Sequence, residues 1–248
     1  MKAILTYHSV DESGSVISID ERTFGRHVRW LASRRVRVLP LDQLVEAPGD
    51  VDAVAITFDD GLENFARIAA PLLREHGLPV TLFVVTDAVG TTNVWRGRGD
   101  AGIPVFELIG WETLGRLAAN GVSVGAHTCT HPNLAVIDRS SVEHEIVASK
   151  ARLARELGID VTTFAYPYGG LSDVARDVVA REFRYGVSTR LAMLAPHDDP
   201  ARLPRLDSYY FRAPGTLEAW GTARFRVRMR LLAGARSVRR SLARSATS

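Results

Sequence analysis

The sequence predicts a single α/β domain whose parallel strands close into a barrel. Apolar, β-rich runs alternate with amphipathic helical patterns over residues 3–211, which is typical of a parallel sheet with right-handed crossovers. The chain has 248 residues, 46% of them hydrophobic, which is enough for one large core. Polar residues follow at least four of the predicted strands at their carboxyl ends. That distribution favours a ring of strands over an open sheet with one switch point.

The predicted elements follow one another in a regular order. Strands are predicted at 3–7, 51–58, 79–85, 122–126, 161–166, 185–190 and 204–211. Helices are predicted after Asp20, up to His76, over 111–120, through Val142 to Gly158 and over 172–182. There is no internal repeat or low-complexity linker, so the barrel domain is assigned to residues 1–215 and a basic C-terminal tail to 216–248.

Charge is distributed unevenly along the chain. From residue 219 onward there are eight arginines and no acid, whereas the rest carries 23 basic and 28 acidic residues, a net charge of −5. An acidic body argues against a nucleic-acid-binding core, so no nucleic-acid partner is expected. Within the tail, arginine and apolar residues alternate over 224–231, a strand period. Leu231, Ala235, Val238 and Leu242 then share one face of a helix.

Two interpretations of residues 219–248 stay open. An amphipathic basic helix suits the anionic surface of a membrane, and the substrate expected there is a lipid-linked or membrane-assembled sugar. The alternative is a solvated or disordered basic tail. The N-terminal "MKAILTYHSV" has too short an apolar run for a signal peptide, and Cys129 is the only cysteine. We therefore expect a cytoplasmic protein, with peripheral contact at the inner face of the membrane if the tail binds there.

The stretch "TFDDG" (57–61) carries two adjacent carboxylates directly after a buried strand. Asp59 and Asp60 repel each other, and holding both at an apolar rim is costly without a cation or a shared proton. The alternative is an ordinary Asp-Gly turn. This stretch alone does not decide between them.

The stretch "GAHTCTHPNL" (125–134) offers a pair of metal ligands. His127 and His131 are four residues apart, so one helical turn would direct both imidazoles to one side, with Cys129 pointing away. Together with Asp60 they would form a facial set that leaves coordination positions open, as in a Lewis-acid hydrolase. Asp59 is then free to take a proton from the attacking water. Two polar loop histidines are the alternative.

The motifs "TFDDG", "HTCTH" and "FAYPYG" (164–169), in this order, resemble those of the polysaccharide deacetylases (the NodB homology domain, carbohydrate esterase family 4). The resemblance covers about residues 3–211. It implies a distorted (β/α)7-type barrel, one divalent metal ion with zinc expected first, and hydrolysis of an N-acetyl, less often an O-acetyl, group on a sugar. Carried over by position, Asp59 is the general base, and Asp60, His127 and His131 are the metal ligands. The backbone N–H of Tyr168 would stabilise the oxyanion.

The sequence departs from the family pattern in two places. Ala165 stands where an arginine usually orients the base, so either another group does so here or the base is differently tuned. The Leu-x-His motif that supplies the general acid has no clean match, and His197 in "LAPHDDP" is wrongly framed. His8, at the end of the first strand, is the candidate acid. A hydrogen-bonded structural role is its alternative.

Three aromatic residues are candidates for binding the sugar. Trp95 lies in the long segment 87–110 and would stack on a sugar ring or pack that segment against the barrel. Tyr166 and Tyr168 would line the cleft or fill it. The remaining histidines of the predicted helices, His27, His76 and His144, are expected to face solvent.

Two other functions stay open beside the deacetylase. One is a related amide hydrolase, such as a deformylase acting on a lipid-linked aminosugar or an amidase acting on a non-sugar amide. The other is a non-catalytic carbohydrate-binding relative, against which the complete set of Asp59, Asp60, His127 and His131 argues, because binding alone does not need both carboxylates.

Overall fold

A computed structural model describes residues 1–95, 97 and 99–245, with side chains as far as Arg236. The strands are β1 (Lys2–Tyr7), β2 (Ser9–Val10), β3 (Ser18–Ile19), β4 (Arg37–Val38), β5 (Ala53–Phe58), β6 (Val80–Val84), β7 (Ser123–Ala126), β8 (Thr163–Ala165), β9 (Tyr185–Val187) and β10 (Leu206–Asp207). The helices are α1 (Glu21–Ala32), α2 (Leu41–Glu46), α3 (Ala70–Glu75), α4 (Trp111–Ala119), α5 (Arg139–Leu157), α6 (Asp173–Glu182) and α7 (Ala223–Ser245). None of the described helices is long and apolar enough to cross a bilayer.

The main sheet curls into a distorted barrel. Its strands are parallel and lie in the order β10-β1-β5-β6-β7-β8-β9, with β4 paired to β5. The segment 203–207 connects the two ends of this row, because Leu203 bridges to Val187, the last residue of β9, and Leu206 pairs with Leu5 of β1. The predicted barrel is therefore confirmed, and the carboxyl ends of its strands meet on one rim.

Alternate residues of the barrel strands belong to two apolar clusters. Leu5 and Ile56 join the large cluster between the strands and the surrounding helices. Ile4, Ala55 and Phe83 join a smaller cluster on the other face of the strands. This two-residue alternation is what a strand covered on both faces produces. The smaller cluster packs closely: a Cβ on Gly125 would lie 2.5 Å from the ring of Phe83.

The predicted last strand is shorter than the sequence indicates. Only Leu206–Asp207 pairs with the sheet, and Ser208–Phe211 forms a 3-10 turn that begins where the Asp207 carboxylate accepts a hydrogen bond from the N–H of Tyr209. An aspartate beside a serine favours such a turn, because its side chain competes for the backbone donor.

His27 is buried, so the expectation that it faces solvent is wrong. Its Nε2 lies 2.9 Å from the carbonyl oxygen of Phe211, which can only accept, so Nε2 carries the proton. Nδ1 then accepts from the Tyr7 hydroxyl at 3.1 Å. His27 thus joins α1 to β1 and to the 3-10 turn. His76 and His144 are exposed, as expected.

Residues 224–231 form the start of helix α7, so the strand predicted there is wrong. Phe225 and Met229 are four residues apart, which places both on one helical face, and both are buried in the main core. When apolar residues occur at every second position, they also occur at every fourth position. The alternation over 224–231 is therefore compatible with a helix as well as with a strand. Leu217 and Trp220, which precede the helix, are buried in the same core.

Candidate active site

A cavity of about 540 Å³ opens at the carboxyl ends of the barrel strands. The candidate site residues follow different strands: His8 follows β1, Asp59 and Asp60 follow β5, and His127 follows β7. All of them line this cavity, together with His131 and Tyr168. The rim of the barrel therefore brings together side chains up to 160 positions apart in the sequence, as the barrel prediction required.

Asp60, His127 and His131 form a cluster able to hold a metal ion. One ligand atom from each lies within 4.8 Å of the others. Nε2 of His127 and Nε2 of His131 are both 3.4 Å from Oδ1 of Asp60. All three side chains are buried. Two imidazoles and one carboxylate, with room for further ligands, are the set expected of a catalytic divalent-metal site.

The protonation of His127 fits a metal better than an empty cluster. Its Nδ1 lies 2.7 Å from the carbonyl oxygen of Ala165, which fixes the proton on Nδ1. In the neutral ring, Nε2 carries no proton, and its lone pair faces the Asp60 carboxylate oxygen at 3.4 Å. These two electron-rich atoms repel each other, and a cation bound between them would remove the repulsion. Burial also lowers the pKa of His131, which favours its neutral, ligating form.

Asp60 is anionic in this cluster. Its burial alone would raise its pKa, but where no cation lies in the cluster, imidazole N–H groups of His127 and His131 that donate to the carboxylate lower the pKa well below the usual range of a carboxyl group. Asp60 is therefore charged at neutral pH and can bind a cation.

The loop 127–131, which carries both histidines and is called the histidine loop below, is hydrogen-bonded to Glu145 of α5. The sequence did not indicate Glu145 as a site residue. Its Oε2 accepts the backbone N–H groups of Cys129 and Thr130 at 2.8 and 2.9 Å, and its Oε1 accepts the Thr130 hydroxyl at 2.6 Å. Glu145 is itself buried. A carboxylate nearly two turns into a long helix gives no sequence signal of this role, because its partners lie in another element.

Backbone strain is concentrated at this rim. Among the described residues, five non-glycine positions have positive φ, and four of them belong to this rim or to the loop that carries the two histidines: Asp60 (73°), Thr128 (68°), His131 (59°) and Tyr168 (56°). Such conformations cost about 1–3 kcal/mol each and persist where the surrounding structure imposes them. At Asp60 and His131 the strain accompanies the placement of two side chains of the Asp-His-His cluster.

Asp59 is held by Arg205, which the sequence analysis also missed. Nη1 and Nη2 of Arg205 donate to Oδ1 and Oδ2 of Asp59, each at 2.6 Å. Arg205 is 2% exposed, and its Nε donates to the carbonyl of Ser188 at 3.0 Å. Burial would raise the pKa of Asp59, but the guanidinium lowers it below its usual value. Asp59 is therefore ionised and fixed in orientation.

Arg205 supplies the guanidinium that the family pattern led us to expect at position 165, where this chain has Ala165. Ala165 is fully buried in the smaller core cluster and cannot contact a carboxylate through its side chain. The guanidinium instead comes from the segment that joins the two ends of the barrel sheet. The available signal was the arginine in "PRLDSYYF", since a buried arginine in an apolar strand requires a carboxylate partner.

His8 directly follows β1 and lies beside Asp59. Its Nε2 is 3.7 Å from Oδ2 of Asp59, and its side chain is partly exposed in the cavity. The structure thus brings His8 to the site. His197 lines a neighbouring cavity instead, beside Arg190 and Arg202.

The three candidate sugar-binding aromatics differ in environment. Trp95 is 8% exposed and stacks on the ring of His131, with centroids 4.4 Å apart. Tyr166 is buried, and its hydroxyl donates to the carbonyl of Ala201 at 2.7 Å. Tyr168 is half exposed, and its hydroxyl donates to the carboxylate of Asp100 at 3.0 Å. Tyr168 therefore offers the most surface to a ligand.

The profile of the polysaccharide deacetylase family matches residues 46–185. This match covers more than half of the chain, and the protein belongs to that family. His8 and Arg205 lie outside the matched range. A deacetylase fold with a buried Asp59 beside an Asp-His-His cluster is thus supported by both sequence and geometry.

Two curated relatives illustrate the family. The polysaccharide deacetylase homologue YxkH of Bacillus subtilis (strain 168) is 24% identical over 192 residues, covering 75% of this chain and 63% of YxkH. The chain thus spans somewhat less than two thirds of the length of YxkH. The poly-beta-1,6-N-acetyl-D-glucosamine N-deacetylase of Staphylococcus aureus (strain N315) is 23% identical over 203 residues, covering 76% of this chain and 67% of the relative.

Two solved structures share the fold. The Streptococcus pyogenes deacetylase PplD, in complex with acetate, superposes with a TM-score of 0.70 at 21% identity, covering 83% of this chain and 91% of PplD. IcaB from Ammonifex degensii superposes with a TM-score of 0.69 at 23% identity, covering 84% of this chain and 93% of IcaB. The distorted barrel is therefore the fold that this chain shares with both structures.

Proposed function

We propose that the protein is a metal-dependent hydrolase that removes an N-acetyl group from a sugar or polysaccharide. The observation that carries this proposal is the pairing of two buried carboxylates with different partners at one cavity. Asp59 is bonded to Arg205 and free of the cluster, whereas Asp60 faces His127 and His131. This division supports one carboxylate as a base and the other as a metal ligand.

Asp60, His127 and His131 would hold the metal, for which we propose zinc. Imidazole nitrogen and carboxylate oxygen are ligands that zinc accepts, and the buried Nδ1–H of His127 is already bonded to a backbone carbonyl, as is usual for a zinc-binding histidine. When bound, such a cation polarises the substrate carbonyl and acidifies water.

The protein's own groups would carry the protons. Asp59 takes one proton from the water whose oxygen attacks the acetyl carbon. The backbone N–H of Tyr168 is proposed to donate to the resulting oxyanion. As the C–N bond breaks, His8 gives a proton to the departing nitrogen, so that acetate and a free amine leave. The position of His8 on the Asp59 side of the cavity, 3.7 Å from that carboxylate, supports this role.

The proposed substrate is an N-acetylated hexosamine glycan. The likeness to the Staphylococcus aureus poly-beta-1,6-N-acetyl-D-glucosamine N-deacetylase supports this class, as does a cavity that is bordered by aromatic rings. We further propose a lipid-linked glycan as the substrate and the inner face of the cytoplasmic membrane as the location.

The proposal is tested by incubating the purified, zinc-loaded protein with N-acetylglucosamine oligosaccharides and measuring acetate and formate separately. We expect acetate release that a chelator abolishes and added zinc restores. Formate release from an N-formylated sugar, without acetate from the N-acetylated one, would identify the deformylase alternative. Binding of the oligosaccharide with neither product would indicate the non-catalytic relative.

A further inference from the structure

Helix α7 presents two different faces. Phe225 and Met229 are buried against the barrel, 1% and 4% exposed. Val227 and Leu231, four residues apart and therefore adjacent on the helix, are 53% and 69% exposed. Together with Ala223 and Leu232 they border an open groove on the protein surface. The helix is thus anchored by one apolar face and leaves a second apolar row, Val227 and Leu231, uncovered.

The uncovered row is flanked by positive charge. Arg224 lies three residues before Val227, and Arg230 three residues after it, so both border the row. Both arginines are exposed. The sequence from residue 219 onward has eight arginines and no acid. Any partner of this face must therefore combine an apolar interior with a negatively charged surface.

The same helix reaches the catalytic cavity. Arg236, five residues beyond Leu231, lines the cavity that holds Asp59 and the metal cluster. An α-helix rises about 1.5 Å per residue, so Arg236 lies about 7.5 Å further along the axis of α7 than Leu231.

We propose that the outward face of α7, formed by Val227, Leu231, Arg224 and Arg230, docks the protein on an anionic lipid bilayer. The apolar row enters the boundary between headgroups and acyl chains, and the arginines contact lipid phosphates. Docking through this helix would hold the catalytic cavity, which Arg236 of the same helix lines, close to a glycan attached to a lipid. This last step rests on the proposed deacetylase function, whereas the docking does not.

Charge complementarity distinguishes the bilayer from other occupants. A second copy of this chain that paired through the same face would bring an identical arginine-rich helix to the contact, and the like charges would repel. A soluble polyanion would neutralise the arginines but leave Val227 and Leu231 in water. An anionic bilayer satisfies both features of the face.

Docking is measured by flotation of the full chain with vesicles, without substrate. Vesicles of phosphatidylcholine alone are compared with vesicles that also contain phosphatidylglycerol. We expect binding only to the second kind, weakened by salt. Arg230→Gln should weaken binding roughly fivefold, and Leu231→Gln roughly tenfold. Both side chains are exposed, so neither change removes core packing.

Matched controls separate docking from general charge and apolar effects. Val136 is 77% exposed and lies in the loop before α5, and Arg155 is an exposed arginine on α5. Val136→Gln and Arg155→Gln should bind the vesicles as the wild type does. Wild-type protein that fails to float with phosphatidylglycerol vesicles, or a Leu231→Gln variant that floats equally well, overturns the proposal. Binding to heparin without binding to vesicles also overturns it.

A second arm separates docking from function. Acetate release is compared between a soluble N-acetylated oligosaccharide and an N-acetylated glycolipid in phosphatidylglycerol vesicles. We expect Leu231→Gln to lower the second rate roughly tenfold and to leave the first unchanged. Vesicle binding with no acetate from either substrate would refute the deacetylase while leaving the docking surface intact. Equal loss of both rates would show that α7 acts otherwise than by docking.

Discussion

Arg205 binds Asp59 through two parallel hydrogen bonds of 2.6 Å, one to each carboxylate oxygen. The pair is buried and connects the last barrel strand to the end of β5. A planar guanidinium holds a carboxylate in one orientation, which a lysine ammonium cannot do. Since Asp59 is the proposed base, Arg205 is a positioning residue for the reaction.

Arg205→Lys should keep the charge beside Asp59 but lose its orientation. We expect kcat to fall about ten- to a hundredfold with little change in KM. Arg205→Met should be worse and should also destabilise the fold by about 3–5 kcal/mol, because it leaves the Asp59 charge unpaired. Steady-state kinetics and denaturant unfolding measure the two effects. Arg202→Lys, an exposed neighbour, should change neither, and a loss of the same size there would remove the specific role of Arg205.

Glu145→Gln should weaken metal binding without touching the metal ligands. The amide loses one acceptor oxygen toward the N–H groups and hydroxyl that Glu145 now holds, so the loop bearing His131 loosens. Outer partners of metal ligands typically contribute 10–100-fold to metal affinity. Zinc titration calorimetry measures this. Glu143→Gln, exposed on the same helix, is the control, and equal zinc affinity in all three proteins would contradict the role of Glu145.

His8→Ala should affect substrates according to their leaving group. An amide nitrogen needs a proton as the C–N bond breaks, so we expect a loss of about 10²–10⁴ in kcat on an N-acetylated sugar. An activated aryl acetate leaves without a proton and should lose far less. The ratio of the two rates is the measurement, and His197→Ala, in the neighbouring cavity, is the control. Equal losses on both substrates would show that His8 is not the acid.

His27 should make stability fall as the solution is acidified. Burial lowers the pKa of His27 from 6.5 to about 4. The unfolded chain therefore takes up a proton first, and stability is fully present above pH 6.5 and lost as the pH falls from 6.5 toward 4. The loss attributable to this group is about 3 kcal/mol. Denaturant unfolding across this pH range should show a smaller loss in His27→Gln, and parallel curves would contradict the assignment.

The barrel and the meeting of Asp60 with His127 and His131 were predictable from the sequence, because both depend on the order of the strands along the chain. Asp60 and His127 each follow an apolar strand directly, and the carboxyl ends of parallel strands meet on one rim. His131 follows His127 within one loop. These relationships need only the strand positions, which the apolar runs define.

The partners of these residues were not predictable in the same way. Arg205 is 146 positions from Asp59, and Glu145 reaches the histidine loop from a helix that follows it. Such contacts depend on how the helices and strands pack against one another. The distance between two residues along the chain does not indicate that packing. His27 did leave a signal, since it lies on the apolar face that carries Phe24 and Leu31.

The central claim is that Asp59 acts as the base while a separate set of side chains binds the metal. It is tested most directly by comparing the wild type with Asp59→Asn for zinc content and for acetate release from N-acetylglucosamine oligosaccharides. We predict equimolar zinc in both proteins and a fall in acetate release of at least about a hundredfold in the variant. An Asp59→Asn protein that binds zinc and still releases acetate at the wild-type rate would contradict the account.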